Sequence, residues 1–273
     1  SILSLWACSR HLSKLDFDVL INLHPNERCS FIDAMTNVKL RTGTTHKIFK
    51  WFWDVFTPLD RSMHAADMYL DVLHQLGVQD LSNNGLEIFP GEEHFLEAEL
   101  FWQEQNITDQ DKLIGFNIGS AVPTKRWPPE RFAEVADIFA AKGYKTVFFG
   151  GPMDEEMVAE ATGYMQTRPI IATGHFAIGG LAAAMRRCCL IITNDSGPMH
   201  VAISQKVPIV AMYGPSNPKL YGPYTKDAVI VTAQPPCQGC ADGMKHSCDD
   251  LQCMSRMTVE QVVAAADTIM LNK

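Results

Sequence analysis

The sequence predicts an α/β protein built on doubly wound, mostly parallel sheets, and three observations lead to that prediction. From Leu113 onward, short apolar runs alternate regularly with amphipathic segments, which is the pattern of repeated strand–helix units. Several of the apolar runs are rich in β-branched residues, which suits strands buried on both faces of a parallel sheet. Polar turns containing Gly, Ser and Pro follow these runs, at the positions where strands end.

The second part of the chain, residues 107–273, carries the regular alternation. Strands are predicted at 113–120, 145–151, PIIATG, LIITND, PIVAMYGP and 228–233, and helices at 128–143, 154–165, GGLAAAMRRC, GPMHVAISQ and 258–271. The polar segment 106–112 is the expected domain boundary.

Residues 1–106 are less regular. Strands are predicted at 17–24 and 38–44, and helices at 64–77 and 92–105. This is too little material for a complete α/β domain, so we expect a partial N-terminal domain here. The chain starts without Met and inside an apparent helix, and we therefore expect leading strand–helix units to be absent.

Composition excludes several classes of protein. With 273 residues, 47% hydrophobic and 20% charged, the chain is of ordinary globular composition. A net charge of -8 argues against an extended basic surface that binds nucleic acid. No apolar run is long enough to span a membrane. Four cysteines, Cys8, Cys29, Cys188 and Cys189, lie in apolar segments and are expected to be small buried hydrophobes in a reducing compartment.

The stretch LIITNDSGPMH carries the strongest local signal. Ser196 or Asp195 is expected to cap a helix that starts at Gly197 and Pro198. A helix amino terminus beside the carboxyl end of a parallel strand binds anions, because free N–H donors and the helix dipole both point there. The alternative for Asp195 is that it caps the helix and has no contact with a ligand. His200 falls in the first turn of this helix, where a structural role and a ligand contact are equally open.

Two further turns are expected at the same edge of the sheet. The loop GSAVPTKRWPP contains Ser120, Thr124, Lys125 and Arg126, and its two cations suit phosphate oxygens. A solvated basic pair is the alternative, but Trp127 beside the helix start favours a fixed loop. Because carboxyl ends of parallel strands share one edge, this loop, the FGGPMDEE turn and the NDSGPMH turn should converge on one crevice.

The other turns of this edge are richer in glycine. In FGGPMDEE, Gly150 and Gly151 permit a ligand to approach closely, with Asp154 nearby, and Gly214 of YGPSNP is expected to line the same pocket. None of these turns matches GxGxxG, so a dinucleotide oxidoreductase lacks its main sequence support.

Two features are open between structural and functional interpretations. Cys237, Cys240, Cys248 and Cys253 could hold a structural zinc, but their irregular spacing favours reduced thiols or a disulfide. The segment 45–61 places Phe49, Phe52, Trp53 and Phe56 on one face if it is a helix, which favours core packing. The alternative is a surface helix that touches lipid or an amphiphilic acceptor.

Taken together, the motifs resemble a known family. The segments that carry the resemblance are PTKRWPPERFAEVAD, FFGGPMDEE, LIITNDSGPMHVAISQKVPIVAMYGPSNP and the later GPY. They resemble glycosyltransferase family 9, the ADP-heptose:lipopolysaccharide heptosyltransferases, from about Asp16 to the C terminus. The resemblance implies a GT-B architecture, in which two Rossmann-like domains face each other across a cleft. Residues 107–273 would then bind the nucleotide sugar, and residues 1–106 would form the acceptor side.

The resemblance also assigns roles to residues. It implies that Lys125 stabilises the departing diphosphate and that Asp195 hydrogen-bonds the donor sugar. Ser196, Gly197 and Met199 would offer backbone N–H donors to phosphate, whereas Pro198 has none. No metal or other cofactor is implied, since a lysine and a helix dipole neutralise the charge. Arg28 and His24 follow an N-terminal strand and are expected to meet acceptor phosphates.

One departure from the family limits the expected activity. Family members begin with a Gly-Asp turn whose Asp serves as general base, and this chain has no such segment. The sequence therefore predicts an inverting glycosyltransferase that acts in the cytoplasm, at the inner membrane face, from ADP-heptose to a lipopolysaccharide core acceptor. As it stands, the chain is expected to bind the donor without catalysing transfer. The alternatives are a sugar-nucleotide epimerase or hydrolase of GT-B shape and a donor-binding module without catalysis.

Overall fold

The chain forms two compact units, each with its own parallel sheet. A computed structural model describes residues 2–24, 26–44, 47–81, 83–233, 240, 248 and 250–271. The first unit ends at Asn83 and the second begins at Asn84. Within these described ranges, no helix has the length and apolar character needed to cross a membrane.

The first unit contains a three-stranded parallel sheet. Its strands, in spatial order, are β1 (Val19–Asn22), β2 (Leu40–Gly43) and β3 (Val55–Phe56). Its helices are α1 (Ile2–Ser13), α2 (Glu27–Met35) and α3 (Ala65–Gln75), with a short 3₁₀ helix at Lys47–Phe52. The predicted strands 17–24 and 38–44 and the predicted helix 64–77 are therefore present, each a few residues shorter than predicted.

The aromatic segment 45–61 is not a helix, and this prediction was wrong. The 3₁₀ helix ends at Phe52, and the chain then enters β3. There it pairs with β2. Beside this pairing, the Asp54 carboxylate accepts a hydrogen bond from the Arg41 N–H at 2.6 Å, and the Asp54 N–H donates one to the Arg41 carbonyl at 3.1 Å. Trp53 is consequently buried while Trp51 and Phe52 are exposed, so the expected single aromatic face does not form. Residues 45 and 46 lie outside the described residues.

The second unit contains a six-stranded, fully parallel sheet. Its strands are β4 (Leu113–Asn117), β5 (Lys145–Phe149), β6 (Ile170–Ile171), β7 (Cys188–Asn194), β8 (Ile209–Met212) and β9 (Ala228–Val231). Their spatial order is β6-β5-β4-β7-β8-β9. The sheet is doubly wound, and its winding direction reverses between β4 and β7.

Helices cover both faces of this sheet. They are α4 (Glu92–Glu104), α5 (Pro129–Ala141), α6 (Glu155–Tyr164), α7 (Ile178–Met185), α8 (Gly197–Ser204), α9 (Pro218–Tyr221), α10 (Gln252–Ser255) and α11 (Val259–Leu271). α5, α6 and α11 contribute to one core cluster, and α4, α7 and α8 to the other. Every residue of β4 and β8 is buried, as predicted for strands covered on both sides.

The boundary between the units differs from the expected position at 106–112. α4 belongs to the second unit, because Ala98, Phe101 and Trp102 are buried in one of its two core clusters. Phe101 meets Phe176 edge to face at 5.1 Å between ring centroids. An amphipathic helix is held by its apolar face rather than by its place in the chain, and this face packs on the second sheet.

The cysteines are less buried than the sequence indicated. Only Cys188 of the first four is buried; Cys29 is half-buried, and Cys8 and Cys189 are exposed. Cys189 is exposed because the pairing of β4 with β7 slips there: Leu113 pairs with Cys188 and Ile114 with Leu190. A bulge of this kind inserts one extra residue into the strand and disturbs the ladder locally.

The C-terminal cysteines are only partly described. Cys237 lies outside the described residues, whereas Cys240 is half-buried and Cys248 is exposed. Cys253 is buried in the core at α10. Among the described residues no group of three or more His, Cys, Asp or Glu side chains could hold a metal ion.

A buried carboxyl group in the first unit makes stability depend on pH. Asp33 of α2 accepts a hydrogen bond from the Asn22 amide at the end of β1. Burial raises the pKa of Asp33 from 3.8 to about 6, against the lowering effects of Asn22 and Arg41. The folded state therefore favours the protonated carboxyl. The contribution of Asp33 to the free energy of unfolding is complete below about pH 4 and is lost as the pH rises through about 6.

We expect Asp33→Asn to remove this pH dependence. Between pH 4 and 7, the free energy of unfolding of the native chain should decline relative to that of the variant, because only the native chain must ionise a buried acid. Urea denaturation of both proteins across this range measures the difference. Parallel pH profiles would contradict the assignment.

Candidate functional site

The candidate site lies at the carboxyl edge of the second sheet, where β4 and β7 are neighbours and the winding reverses. Ligands of open α/β sheets bind in the crevice outside the strands at this switch point. Three segments meet there: the loop 118–128 after β4, the turn 195–196 after β7 and the loop 213–217 after β8. The sequence-predicted convergence of the first two segments is therefore present in the structure.

A buried ion pair links these loops. The Lys125 Nζ donates to Asp195 Oδ2 at 2.7 Å, although the residues are 70 positions apart. The side chains are 16% and 7% exposed, respectively. Ser216 from the third segment also donates its hydroxyl to Asp195 Oδ2. Asp195 is therefore not a helix cap, because its carboxylate is committed to side chains from two other loops.

The loop that carries Lys125 is fixed at its exit by Trp127. This indole is fully buried and packs edge to face on Phe132 at 5.1 Å. Its Nε1 donates to the Met257 carbonyl at 3.1 Å, and its backbone N–H donates to Asn194 Oδ1 at 3.1 Å. Asn194 returns a hydrogen bond to the Ile118 carbonyl at 2.7 Å. The loop is therefore tied to the end of β7 at both its entry and its exit.

The other polar residues of this loop build it. Arg126 Nε donates to the Ser120 carbonyl at 2.8 Å, so this cation braces the loop. Ser120 Oγ donates to the Asp195 carbonyl at 3.4 Å, and Thr124 is buried in the 3₁₀ helix Pro123–Lys125. Of the two predicted phosphate-binding cations, only Lys125 points its charge at Asp195.

The first turn of α8 offers backbone donors. Ser196 is its N-cap in an extended conformation, but its side chain makes no capping hydrogen bond. Instead, its Oγ accepts from Asn117 Nδ2 at 2.8 Å. The N–H groups of Ser196 and Gly197 donate to no atom of the described residues. An added Cβ at Gly197 would meet nothing within 4 Å, so this turn is open.

One predicted donor is not available. The Met199 N–H donates to the Ser196 carbonyl at 3.2 Å, which corrects the expectation that it faces phosphate. Pro198 occupies the first turn as predicted. The Met199 side chain is buried under α8 and accepts a weak contact from the Tyr213 hydroxyl at 3.6 Å. His200 is half-buried on α8.

The glycines of this edge have packing explanations. Gly151 N–H donates to Asp154 Oδ2 at 2.9 Å, and a Cβ on Gly150 would lie 2.9 Å from Asp154 Cβ. A Cβ on Gly214 would lie 2.3 Å from Met254 Sδ. These glycines therefore admit protein side chains, and their contacts with a ligand stay predictions.

Arg28 and His24, the residues predicted to meet acceptor phosphates, are described separately from this site. Both belong to the first unit, where Arg28 is exposed on α2 and His24 follows β1. The His24 N–H donates to Asn22 Oδ1 at 2.6 Å. Their role toward an acceptor stays a prediction.

Three residues of the site were not predicted. Tyr213 and Ser216 flank Gly214 and Pro215 in the YGPSNP turn, and Asn117 ends a buried strand. A polar residue that ends a fully buried strand was the available signal for Asn117. Burial first, and then the Asp195 carboxylate, raise the pKa of the Tyr213 hydroxyl, which stays protonated and donates to the Tyr221 carbonyl at 2.8 Å.

A groove elsewhere on the second unit is separate from this site. It has a volume of about 850 Å³ and is lined by α4 and α7 residues such as Phe95, Trp102 and Arg186. Arg186 directly follows α7 and precedes β7, so this groove lies toward the amino ends of the strands. It contains none of the predicted site residues.

At the switch point, one cation, two free backbone donors and one carboxylate surround the same crevice. The cation and the helix N-terminus suit an anionic group such as a phosphate, while a carboxylate accepts hydrogen bonds from hydroxyl groups. The fold and site together define a Rossmann-like α/β protein with a polar crevice at the switch point of its sheet.

Comparison with known proteins narrows the class. A family model described as glycosyltransferase family 9 (heptosyltransferase) matches residues 5–248, and the chain belongs to this family. The lipopolysaccharide heptosyltransferase 2 of Salmonella typhimurium is 33% identical over 140 residues, which are 50% of this chain and 40% of that protein. The chain thus matches less than half the length of this relative.

Solved structures match over the whole chain. The crystal structure of a glycosyl transferase family 9 protein from Veillonella parvula is 51% identical, with a TM-score of 0.91 over 100% of this chain and 79% of that one. The E. coli ADP-heptose lps heptosyltransferase II is 22% identical, with a TM-score of 0.77 over 99% and 82%. This second likeness concerns the fold alone.

Proposed function

We propose that this protein transfers heptose from ADP-heptose to a lipopolysaccharide core acceptor, with inversion at the anomeric carbon. The observation that carries the proposal is the buried Lys125–Asp195 pair beside the open first turn of α8. Family membership supports the chemistry, and the name of the Salmonella relative supports heptose as the transferred sugar and lipopolysaccharide as the acceptor.

The second unit binds the donor in this proposal. The N–H groups of Ser196 and Gly197 hydrogen-bond the diphosphate at the positive end of the α8 dipole. Lys125 Nζ adds a full positive charge, and Asp195 accepts hydrogen bonds from the heptose hydroxyl groups. The two parts of the nucleotide sugar thus meet opposite charges that are 2.7 Å apart in the structure.

Transfer forms one bond and breaks another. An acceptor hydroxyl oxygen attacks the anomeric carbon from the face opposite ADP, and the bond from this carbon to the diphosphate oxygen breaks. Negative charge develops on that leaving oxygen, where Lys125 and the α8 N-terminus stabilise it. The hydroxyl proton passes to a general base, and Asp195 is assigned to the sugar rather than to this proton.

The first unit is proposed to meet the acceptor. Arg28 is exposed on α2 and offers a guanidinium that suits acceptor phosphates. Trp51 and Phe52 are exposed, and Lys50 Nζ lies 5.4 Å from the Trp51 ring. Exposed aromatic and basic side chains suit a membrane interface, which supports peripheral contact at the cytoplasmic face of the inner membrane.

Ligand binding and transfer test the proposal separately. ADP-heptose and ADP, but not GDP-mannose or UDP-sugars, should stabilise the chain by about 2.7 kcal/mol at roughly 100 times the dissociation constant. With heptose-deficient lipopolysaccharide, ADP-heptose should yield a heptosylated acceptor and ADP. Release of free or epimerised sugar without acceptor would favour the epimerase or hydrolase alternative. No response to any nucleotide would overturn the donor site.

A further inference from the structure

Ser216 makes a contact that the proposed donor site does not yet explain. Its side chain is fully buried, and its Oγ donates to Asp195 Oδ2. This is the same oxygen that accepts the Lys125 ammonium. One carboxylate oxygen is therefore held from two sides, by a charged donor and by a neutral one.

The two donors differ in their freedom to leave Asp195. Lys125 ends a long, rotatable side chain that is 16% exposed, so its ammonium can swing toward a ligand. Ser216 cannot. Its neighbour Asn217 caps α9 by accepting from the Lys219 N–H at 3.0 Å, and Tyr213, on the strand side of the turn, donates its N–H to the Val231 carbonyl at 3.0 Å.

A bound diphosphate would compete with Asp195 for Lys125. Its oxygens carry more negative charge than one carboxylate, and the proposed mechanism requires the ammonium there when the leaving group departs. Asp195 would then lose one of its two donors at the moment when it must align the sugar. A buried carboxylate with fewer hydrogen bonds is less well fixed and costs free energy.

We propose that Ser216 is a positioning residue that holds Asp195 against the donor sugar while Lys125 turns to the diphosphate. This inference rests on the proposed function and deepens it. It assigns the loop after β8 to sugar recognition rather than to nucleotide recognition. A merely structural Ser216 would instead affect stability and would weaken all ligands alike.

Removing the hydroxyl should separate sugar binding from nucleotide binding. We expect Ser216→Ala to bind ADP-heptose about tenfold more weakly, a loss of about 1.4 kcal/mol that is close to the lower end for a hydrogen bond to a charged group. Its affinity for ADP should be unchanged. Ser216→Thr, which keeps the hydroxyl, should restore most of the affinity. Isothermal titration of the full chain with both ligands measures this, and thermal unfolding verifies that each variant is folded.

A double-mutant cycle tests whether the effect passes through Asp195. In an Asp195→Ala background, Ser216→Ala should weaken ADP-heptose binding by no more than about twofold, since coupled residues are not additive. Equal loss of ADP and ADP-heptose in Ser216→Ala, or additive losses in the cycle, would overturn the inference and leave the donor site standing. Failure of the unmodified protein to bind ADP-heptose would overturn the donor site and this inference together.

Discussion

Replacing Lys125 with methionine is expected to lower kcat/KM for heptosyl transfer by about 10²- to 10³-fold, the usual cost of removing one donor from a developing negative charge. Methionine keeps an unbranched side chain as far as Cε but removes the ammonium. Asp195 keeps the Ser216 hydroxyl as a donor, so its carboxylate is not left unpartnered and the fold should persist. Steady-state assays with ADP-heptose and acceptor measure the loss.

Lys142 supplies a matched control for this experiment. It also contacts a carboxylate, Asp267, at 2.7 Å, but its side chain and that of Asp267 are 39% and 43% exposed. An exposed pair contributes about 0–1 kcal/mol to stability, and this one lies between α11 and the end of α5. Lys142→Met should therefore leave transfer unchanged. If Lys125→Met also retained normal turnover, Lys125 would not be the group that stabilises the leaving diphosphate.

Asp195→Ala is expected to abolish selection of the sugar while sparing nucleotide binding. The variant should bind ADP about as well as the unmodified chain, because Lys125 and the α8 N–H groups remain. Its affinity for ADP-heptose should fall to that for ADP, and transfer should fall by at least about 10²-fold, since a sugar that is not oriented rarely reaches the reactive geometry. Titration with both ligands and a transfer assay measure these effects.

Removing Asp195 also leaves the Lys125 ammonium without its partner in a largely buried place, so some loss of stability is expected. Asp267→Ala is the matched control, because it removes an equally short but exposed ion pair. Selective loss of ADP binding in Asp195→Ala, with the sugar contribution intact, would reverse the proposed roles of the two residues.

The fold of the second unit could be predicted from the sequence almost element by element. Its helices and strands repeat an apolar pattern of fixed period, and turns interrupt that pattern where the observed elements end. LIITNDSGPMH shows this well: β7 ends at Asn194 and α8 begins at Gly197, because a buried β-branched run, an N-cap serine and an early proline are all local signals.

Predictions failed where distant contacts decided the structure. The segment 45–61 has helical spacing of its aromatic residues, but pairing of β3 with β2 overrides it. The helix 92–104 lies before the predicted boundary at 106–112, but Phe101 and Trp102 bury their rings in the second core. Local periodicity records which face of a segment is apolar, and it does not record which sheet covers that face.

The order of apolar runs and polar turns was sufficient to place Lys125, Asp195 and Ser196 at one edge of a parallel sheet, because strand direction alone puts those turns together. Tertiary structure decided what each residue does there. It joined Lys125 to Asp195 across 70 positions, added Ser216 to the same oxygen, and directed the Met199 N–H into its own helix. Such hydrogen bonds depend on ångström-scale placement of separate loops, which only the packed β4–β7 junction fixes.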